Sequence, residues 1–274
     1  MTIGKEEIIE ITERIHKMPK YKGLDIPNST IESIIIDNAM KYRTKKELEI
    51  IVREKLHNIV ALYLGDLNYE QSIKELHQLD IQDKNSLYSF CINKLKVHAS
   101  TKERGDNLEE FYRVIFELTG PVNSIADLAC GIHPLGIPFM CLDNNASYYA
   151  YDIIKPRITF LNEFIHILGY AGGAFQKDIL VEPPKAFTDV TFFFKEAHRF
   201  EKRKKGCMEE FLNQINSPKI VVTIPLSDIN NVHSLSSKYS ENIYFIAQKK
   251  KWIIKESSYL NEQILCIEKS IDKS

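Results

Sequence analysis

Between Ser124 and Gly136 the chain reads SIADLACGIHPLG. An acid leaves an apolar run at Asp127, a glycine follows at Gly131, and Pro134 stands where a helix would begin. At the end of a β-strand such a turn brings bare backbone close to a ligand, because glycine adopts positive φ and carries no side chain. A dinucleotide asks for more, since its pyrophosphate needs the glycines of G-x-G-x-x-G. Only Gly131 and Gly136 are present here.

A cofactor without phosphates has no such need. The turn therefore suits S-adenosylmethionine, whose amino-acid end can rest on one glycine, although an ordinary β-to-α turn would look the same. Two more acids favour the cofactor. Asp152 closes YYAYDI about 20 residues beyond the turn, where a carboxylate accepts hydrogen bonds from ribose hydroxyls. Asp178, in FQKDILVEPP after the third strand, is placed to meet an adenine amino group. Cys130 lies on the turn itself and is expected to pack there, not to act as a nucleophile.

These residues need a sheet to hold them. SIADLA, SYYAYDI, DVTFFF, KIVVTIP, IYFIAQ and EQILCIEKS read as short β-type runs alternating with helical patterns. Such alternation predicts an α/β, Rossmann-like domain with a mainly parallel sheet and helices on both faces. Everything before it is helical. Ile8, Ile11 and Ile15 recur at helical spacing, NSTIESIIIDNAMKY carries Asn28, Ser29 or Thr30 as a cap, and TKKELEIIVREKLHNIVALYL opens with a Thr44–Glu47 capping box. NYEQSIKELHQL and KNSLYSFCINKLKVH complete the run, and NLEEFYRVIFELTG ends at Gly120. The boundary is placed near residues 98 to 105, giving a helical subdomain 1–98 and an α/β domain 99–274.

Bulk properties exclude several classes. Against 36 Lys and Arg stand 37 Asp and Glu, so no global field draws the chain to nucleic acid and only local basic clusters can. Cys91, Cys130, Cys141, Cys207 and Cys266 form no C-x-x-C pair, which speaks against a disulfide scaffold or a zinc site and fits a reducing cytoplasm. No signal peptide and no span of about 20 apolar residues is present, so no membrane role and no metal are expected.

The runs HASTKER, FYRVIF, ADLACGIHPLGIPF, AYDI, FFFKEAHRFEKRKKG and VVTIP, with KYRTKKELEIIVREKLH in the helical part, resemble the aminoglycoside-resistance 16S rRNA methyltransferases of the Arm/Rmt type. The resemblance implies a class I methyltransferase domain with a seven-stranded sheet. It also implies transfer of a methyl group from S-adenosylmethionine to N7 of a guanine in the decoding region of the 30S subunit. The helical subdomain would dock on rRNA and the enzyme would act as a monomer. By position, Arg104 pairs with the cofactor carboxylate, Gly131 abuts its methionine part, Asp152 binds ribose and Asp178 lies near adenine. The implied cofactor set also takes in His98, Ser100, Asp127, Ile153, Ile179 and Lys195. No general base is expected, because the N7 lone pair is already nucleophilic and needs mainly alignment.

The target half departs from the family. Its glycine-rich, basic loop after VVTIP is replaced by LSDINNVHSLSSKYSEN, which has no glycine and draws positive charge only from Lys238 and His233. A Leu-Pro step near His198 is missing too, although Lys195 and Glu201 match. Basic clusters still suggest RNA: Lys41, Arg43, Lys45 and Lys46 in the helical part, and Arg199, Lys202, Arg203, Lys204 and Lys205 beside the cleft. Phe200 or Tyr239 is a candidate to stack on an extruded base. Two other readings are a methyltransferase for another RNA or a small molecule, and a non-catalytic RNA-binding relative.

Overall fold

A computed structural model describes residues 3–61, 67–98, 101–104, 107–226 and 235–270, without the side chains of 235–237. Ser100 and the loop residues 227–234, His233 included, lie outside the described residues.

Seven strands form one sheet in the order β3-β2-β1-β4-β5-β7-β6. They are β1 (Ser124–Leu128), β2 (Ser147–Asp152), β3 (Ala171–Gln176), β4 (Val190–Phe194), β5 (Lys219–Pro225), β6 (Ile253–Tyr259) and β7 (Glu262–Glu268). β1 to β5 are mutually parallel, and β7 inserts antiparallel between β5 and β6. From β1 the chain moves outward to β2 and β3, then returns to lay β4 on the other side. That reversal opens a crevice at the carboxyl ends of β1 and β4, where α/β sheets bind ligands. The antiparallel β7 has a second effect. Its first residue, Glu262, pairs with Pro225 at the end of β5, so an acid at a strand's start is delivered to the ligand face.

The helices preceding the sheet are α1 (Lys5–Lys17), α2 (Pro19–Lys22), α3 (Asn28–Ala39), α4 (Lys45–Val60), α5 (Tyr69–His77), α6 (Lys84–Leu95) and α7 (Leu108–Thr119). The Thr44–Glu47 box caps α4 with bonds in both directions. α3, by contrast, starts behind Pro27 and uses none of Asn28, Ser29 or Thr30 as a cap. Ile11, Ile15, Ile31, Ile35, Leu48, Val52 and Leu56 build a separate core within α1–α4. Leu76, Leu87, Cys91 and Leu95 of α5 and α6 instead join the core beneath the sheet. The packing thus divides between α4 and α5, whereas the chain's texture changes near residue 98.

Two further differences have plain physical causes. IYFIAQ, expected as a strand, lies in α11 (Leu235–Lys250), which follows α8 (Lys155–Ile167), α9 (Ala197–Arg203) and α10 (Met208–Gln214). Its buried positions Ser240, Ile243, Ile246 and Ala247 keep helical spacing while Phe245 is 64% exposed, so the β-type residues there mask a helical stripe. The third strand expected before Asp178 is β3, AGGAFQ, which is not among the quoted β-type runs because glycine is depleted in strands. Gly172 has φ +102°, and a Cβ there would stand 2.3 Å from the carbonyl oxygen of Tyr148 on β2.

Since that neighbour is backbone and cannot swing aside, Gly172→Ala should destabilise the protein by about 1–3 kcal/mol from backbone strain alone, with the clash in addition. Gly23→Ala, with open space around it, should stay within about 0.5 kcal/mol. Urea unfolding of both variants checks the contrast.

Candidate active site

The turn after β1 is locked from below by a buried polar network. Asp127 Oδ2 meets His133 Nδ1 at 2.7 Å and accepts from the Tyr148 hydroxyl at 2.7 Å, while His133 Nε2 meets the Tyr112 hydroxyl at 2.8 Å. Asp127 therefore orders the turn, and its carboxylate is already engaged. Gly136 serves this network, because a Cβ there would lie 1.9 Å from the Tyr112 hydroxyl oxygen. The expected helix at Pro134 is a 3₁₀ helix over His133–Phe139, since Pro138 has no N–H to close an α-turn onto Pro134.

Above this floor the backbone is strained. Ala129, Gly131 and Lys195, at the ends of β1 and β4, have φ of +51°, +54° and +59°. For Ala129 and Lys195 this left-handed conformation costs energy, a pattern that gathers at functional sites. The Gly131 N–H donates to Asp152 Oδ2 at 3.0 Å, tying the glycine turn to the end of β2. Asp152 also accepts from Ile154 N at 3.0 Å through Oδ1 and from Arg157 Nη1 at 2.9 Å through Oδ2. A carboxylate oxygen has about two acceptor positions, so Oδ1 keeps capacity for a hydroxyl.

Arg104 lies on the short 3₁₀ turn Lys102–Arg104 and is 2% exposed. Its Nε donates to Glu262 Oε1 at 2.7 Å, its Nη2 donates to Glu262 Oε2, and Nη2 also reaches Thr223 Oγ1 at 3.3 Å. The guanidinium packs on Phe111 and Phe194, 4.2 and 5.0 Å from their ring centres. Lys195 Nζ joins the same carboxylate at 3.1 Å and meets half-exposed Glu103 at 3.1 Å. Two cations thus converge on one buried carboxylate, and Asp127, the other buried acid of the cleft, is turned to His133 and Tyr148. Burial would raise the Glu262 carboxyl, but the Arg104 charge and hydrogen bonds, with Lys195, outweigh it and hold it at about 2. The cleft is lined by Thr101, Arg104, Asp127, Ala129, Cys130, His133, Phe194, Lys195 and Glu196.

The remaining expected cofactor residues fall at different depths. His98 is buried just before the Arg104 turn, and Ile179 is buried in the core beneath α9 to α11. Ile153 packs against the core of α1–α4. Asp178 is paired through both oxygens with Arg203, at 2.9 and 2.6 Å, so Arg203 turns inward and is no surface cation for RNA. Cys130 is buried, and burial pushes its thiol well up, which disfavours the thiolate that nucleophilic attack would need.

A groove of about 580 Å³ runs between the helical unit and α9, with Tyr42, Ile51, Glu54, Lys55, Asn58 and Ile59 on one wall and Glu196, His198, Arg199, Phe200, Lys202 and Arg203 on the other. Lys41, Arg43, Lys45, Lys46, Lys202, Lys204, Lys205 and Lys238 are exposed, with Lys45 paired to Glu7 and half-buried Arg199 3.5 Å from Glu196. Phe200 is unsuited to base stacking because it is wedged 4.9 Å from Phe193 and 5.0 Å from Phe211. Tyr239 stands 5.9 Å from the His198 ring.

Glu262, His133, Tyr112 and Arg157 escaped the sequence reading. Glu262 left one signal, an acid at the start of the strand EQILCIE; the others carry no motif of their own and are brought to their partners by the fold.

A family model described as ribosomal RNA methyltransferase (FmrO) matches residues 19–267. The chain belongs to this family. It is 31% identical over 218 residues to a 16S rRNA (guanine(1405)-N(7))-methyltransferase of Micromonospora echinospora, covering 78% of this chain and 80% of that one. A relative of the same name from Proteus mirabilis is 25% identical over 243 residues, with 84% and 85% covered. The structure of the 16S rRNA methyltransferase RmtF in complex with S-adenosyl-L-homocysteine superposes with a TM-score of 0.78 at 21% identity, covering 98% of this chain and 100% of that one. This last likeness gives the fold: a class I methyltransferase sheet behind a helical N-terminal region.

Glu262 yields a pH test. Its folded carboxyl lies below the ordinary 4.5, so its stabilisation is complete above that value and is lost as pH falls through about 2. Glu262→Gln should remove about 3–5 kcal/mol near neutral pH by leaving the buried Arg104 guanidinium without its carboxylate. It should also flatten the acid limb of stability against pH, measured by urea unfolding.

Proposed function

We propose that this enzyme transfers the methyl group of S-adenosylmethionine to N7 of guanine 1405 of 16S rRNA in the 30S subunit, and that the modification gives aminoglycoside resistance. What carries the target is the shared name of the curated relatives, the Micromonospora echinospora protein first among them. The site chemistry supports the cofactor. Arg104 and Lys195 offer positive charge to a carboxylate, the Gly131 turn admits a methionine chain, and Asp152 Oδ1 retains acceptor capacity for ribose.

When bound, S-adenosylmethionine supplies an electrophilic methyl group on a sulfonium. The protein's residues orient and enclose. No side chain has to remove a proton, because N7 of guanine carries a lone pair and no hydrogen, so alignment and exclusion of water are the main catalytic demands. Arg104 is suited to this by its rigidity, with its fork clamped by Glu262 and its faces covered by Phe111 and Phe194. His98, Ser100, Asp127, Ile153 and Ile179 complete the proposed shell, Asp127 by fixing the turn from beneath.

The helical unit and the groove beside it make the RNA-facing side. Lys41, Arg43, Lys45, Lys46, Lys202, Lys204, Lys205 and Lys238, with Arg199 at the groove wall, would neutralise phosphates, a contribution that weakens with salt. We place the enzyme in the cytoplasm as a monomer; among the described residues no helix is long and apolar enough to cross a membrane.

Arg104→Ala and Asp152→Ala should each weaken S-adenosylhomocysteine binding by about 10- to 100-fold, the worth of hydrogen bonds to a charged group. Methyl incorporation into 30S subunits should fall in parallel. Mapping the methylated nucleotide after reaction with 30S subunits, free rRNA and tRNA tests the target. Labelling of another RNA alone would overturn it while leaving the cofactor reading intact.

A further inference from the structure

Arg203 is the odd member of its basic cluster. Lys202, Lys204 and Lys205 face solvent, whereas the Arg203 side chain is only 10% exposed. Its Nη1 donates to Asp178 Oδ1 at 2.9 Å, and its Nη2 donates to Asp178 Oδ2 at 2.6 Å and to Ser33 Oγ on α3 at 3.0 Å. The Ser33 hydroxyl donates in turn to Thr30 O at 3.0 Å, which fixes its lone pairs toward the arginine. Asp178 organises the loop after β3: its Oδ1 accepts from Leu180 N at 3.2 Å, and its carbonyl accepts from Val181 N and Glu182 N at 3.0 and 2.8 Å.

The loop after β2 is tied to the same helical unit. Lys155 N donates to Leu24 O at 3.1 Å, and Gln176 Nε2 bridges Asp25 O at 2.5 Å and Ile153 O at 3.1 Å. Both loops proposed to hold the adenosyl end thus borrow their shape from α1–α4 and the segment joining α2 to α3. We propose that Arg203 is a positioning residue for adenosyl binding, held by Ser33, so that the helical unit completes the cofactor site in addition to meeting RNA. This rests on the reading that the chain binds S-adenosylmethionine. Removing Arg203 leaves a buried carboxylate without its cation, and the loop must rearrange to hydrate it.

The test is calorimetric titration of S-adenosylhomocysteine into the full-length protein and its variants, with steady-state methylation of 30S subunits alongside. Arg203→Ala should weaken binding about 10-fold or more and raise the KM for S-adenosylmethionine while leaving the KM for 30S subunits unchanged. Arg203→Lys, which keeps the charge and loses the fork, should fall between it and wild type. Ser33→Ala keeps the Arg203–Asp178 pair and should weaken binding about threefold. Lys202→Ala should do the reverse of Arg203→Ala, raising the KM for 30S subunits only. Wild-type affinity in both Arg203→Ala and Ser33→Ala would overturn the proposal, and if Arg203→Ala does not fold, unchanged affinity in Ser33→Ala overturns it. Failure of the wild type to bind S-adenosylhomocysteine would instead sink the cofactor reading.

Discussion

The Glu262 carboxylate is the constraint on which the cleft depends. A guanidinium and an ammonium cannot share a buried space without an anion between them, and desolvating the three charges is tolerable only with close, well-directed hydrogen bonds. Glu262 provides them because β7 runs antiparallel to its neighbours, which brings its first residue to the carboxyl ends of β4 and β5. A parallel strand in that place would put its first residue on the opposite edge of the sheet. The single reversed strand is therefore tied to the chemistry of the cleft, and the turn bearing Arg104 is held to the sheet by the same bonds.

A second layer of order lies under the glycine turn. Tyr112 from α7, Tyr148 from β2 and His133 from the turn all converge on Asp127 or on one another. Each hydroxyl and ring nitrogen has a partner, so the network specifies one arrangement of α7 against β1 and β2 and resists sliding. Gly136 is glycine because Tyr112 occupies the space of its side chain. Of the two glycines in the motif, one gives the turn its backbone and the other gives the network room.

Much of this was legible in the sequence where the signal is local. Gly131, Asp152 and the Thr44 box are each marked by short-range chemistry, and the glycine turn and strand-end acid stand where the residue types place them. The missing parts are of two kinds. β3 and α11 were obscured because their residues contradict their conformations, with Gly172 and Gly173 in a strand and an Ile-Tyr-Phe-Ile run in a helix. Arg203 and Glu262 could not be assigned because their partners lie 25 and 158 residues away in sequence. A basic run names charges, and only the fold decides which of them faces inward.

That distinction bears on how the two halves divide their labour. The texture of the chain suggests a helical unit attached to an α/β domain, but the packing joins them closely. α5 and α6 share the core beneath the sheet, and Ile153, one residue beyond Asp152, packs against the core of α1–α4. Any displacement of the helical unit must therefore disturb the loops after β2 and β3, and linkage makes the effect reciprocal. The residues of the cleft constrain one another through buried charge, whereas the lysines of the basic clusters sit exposed to solvent. Substitution is consequently cheaper at the exposed lysines than among the buried charges of the cleft.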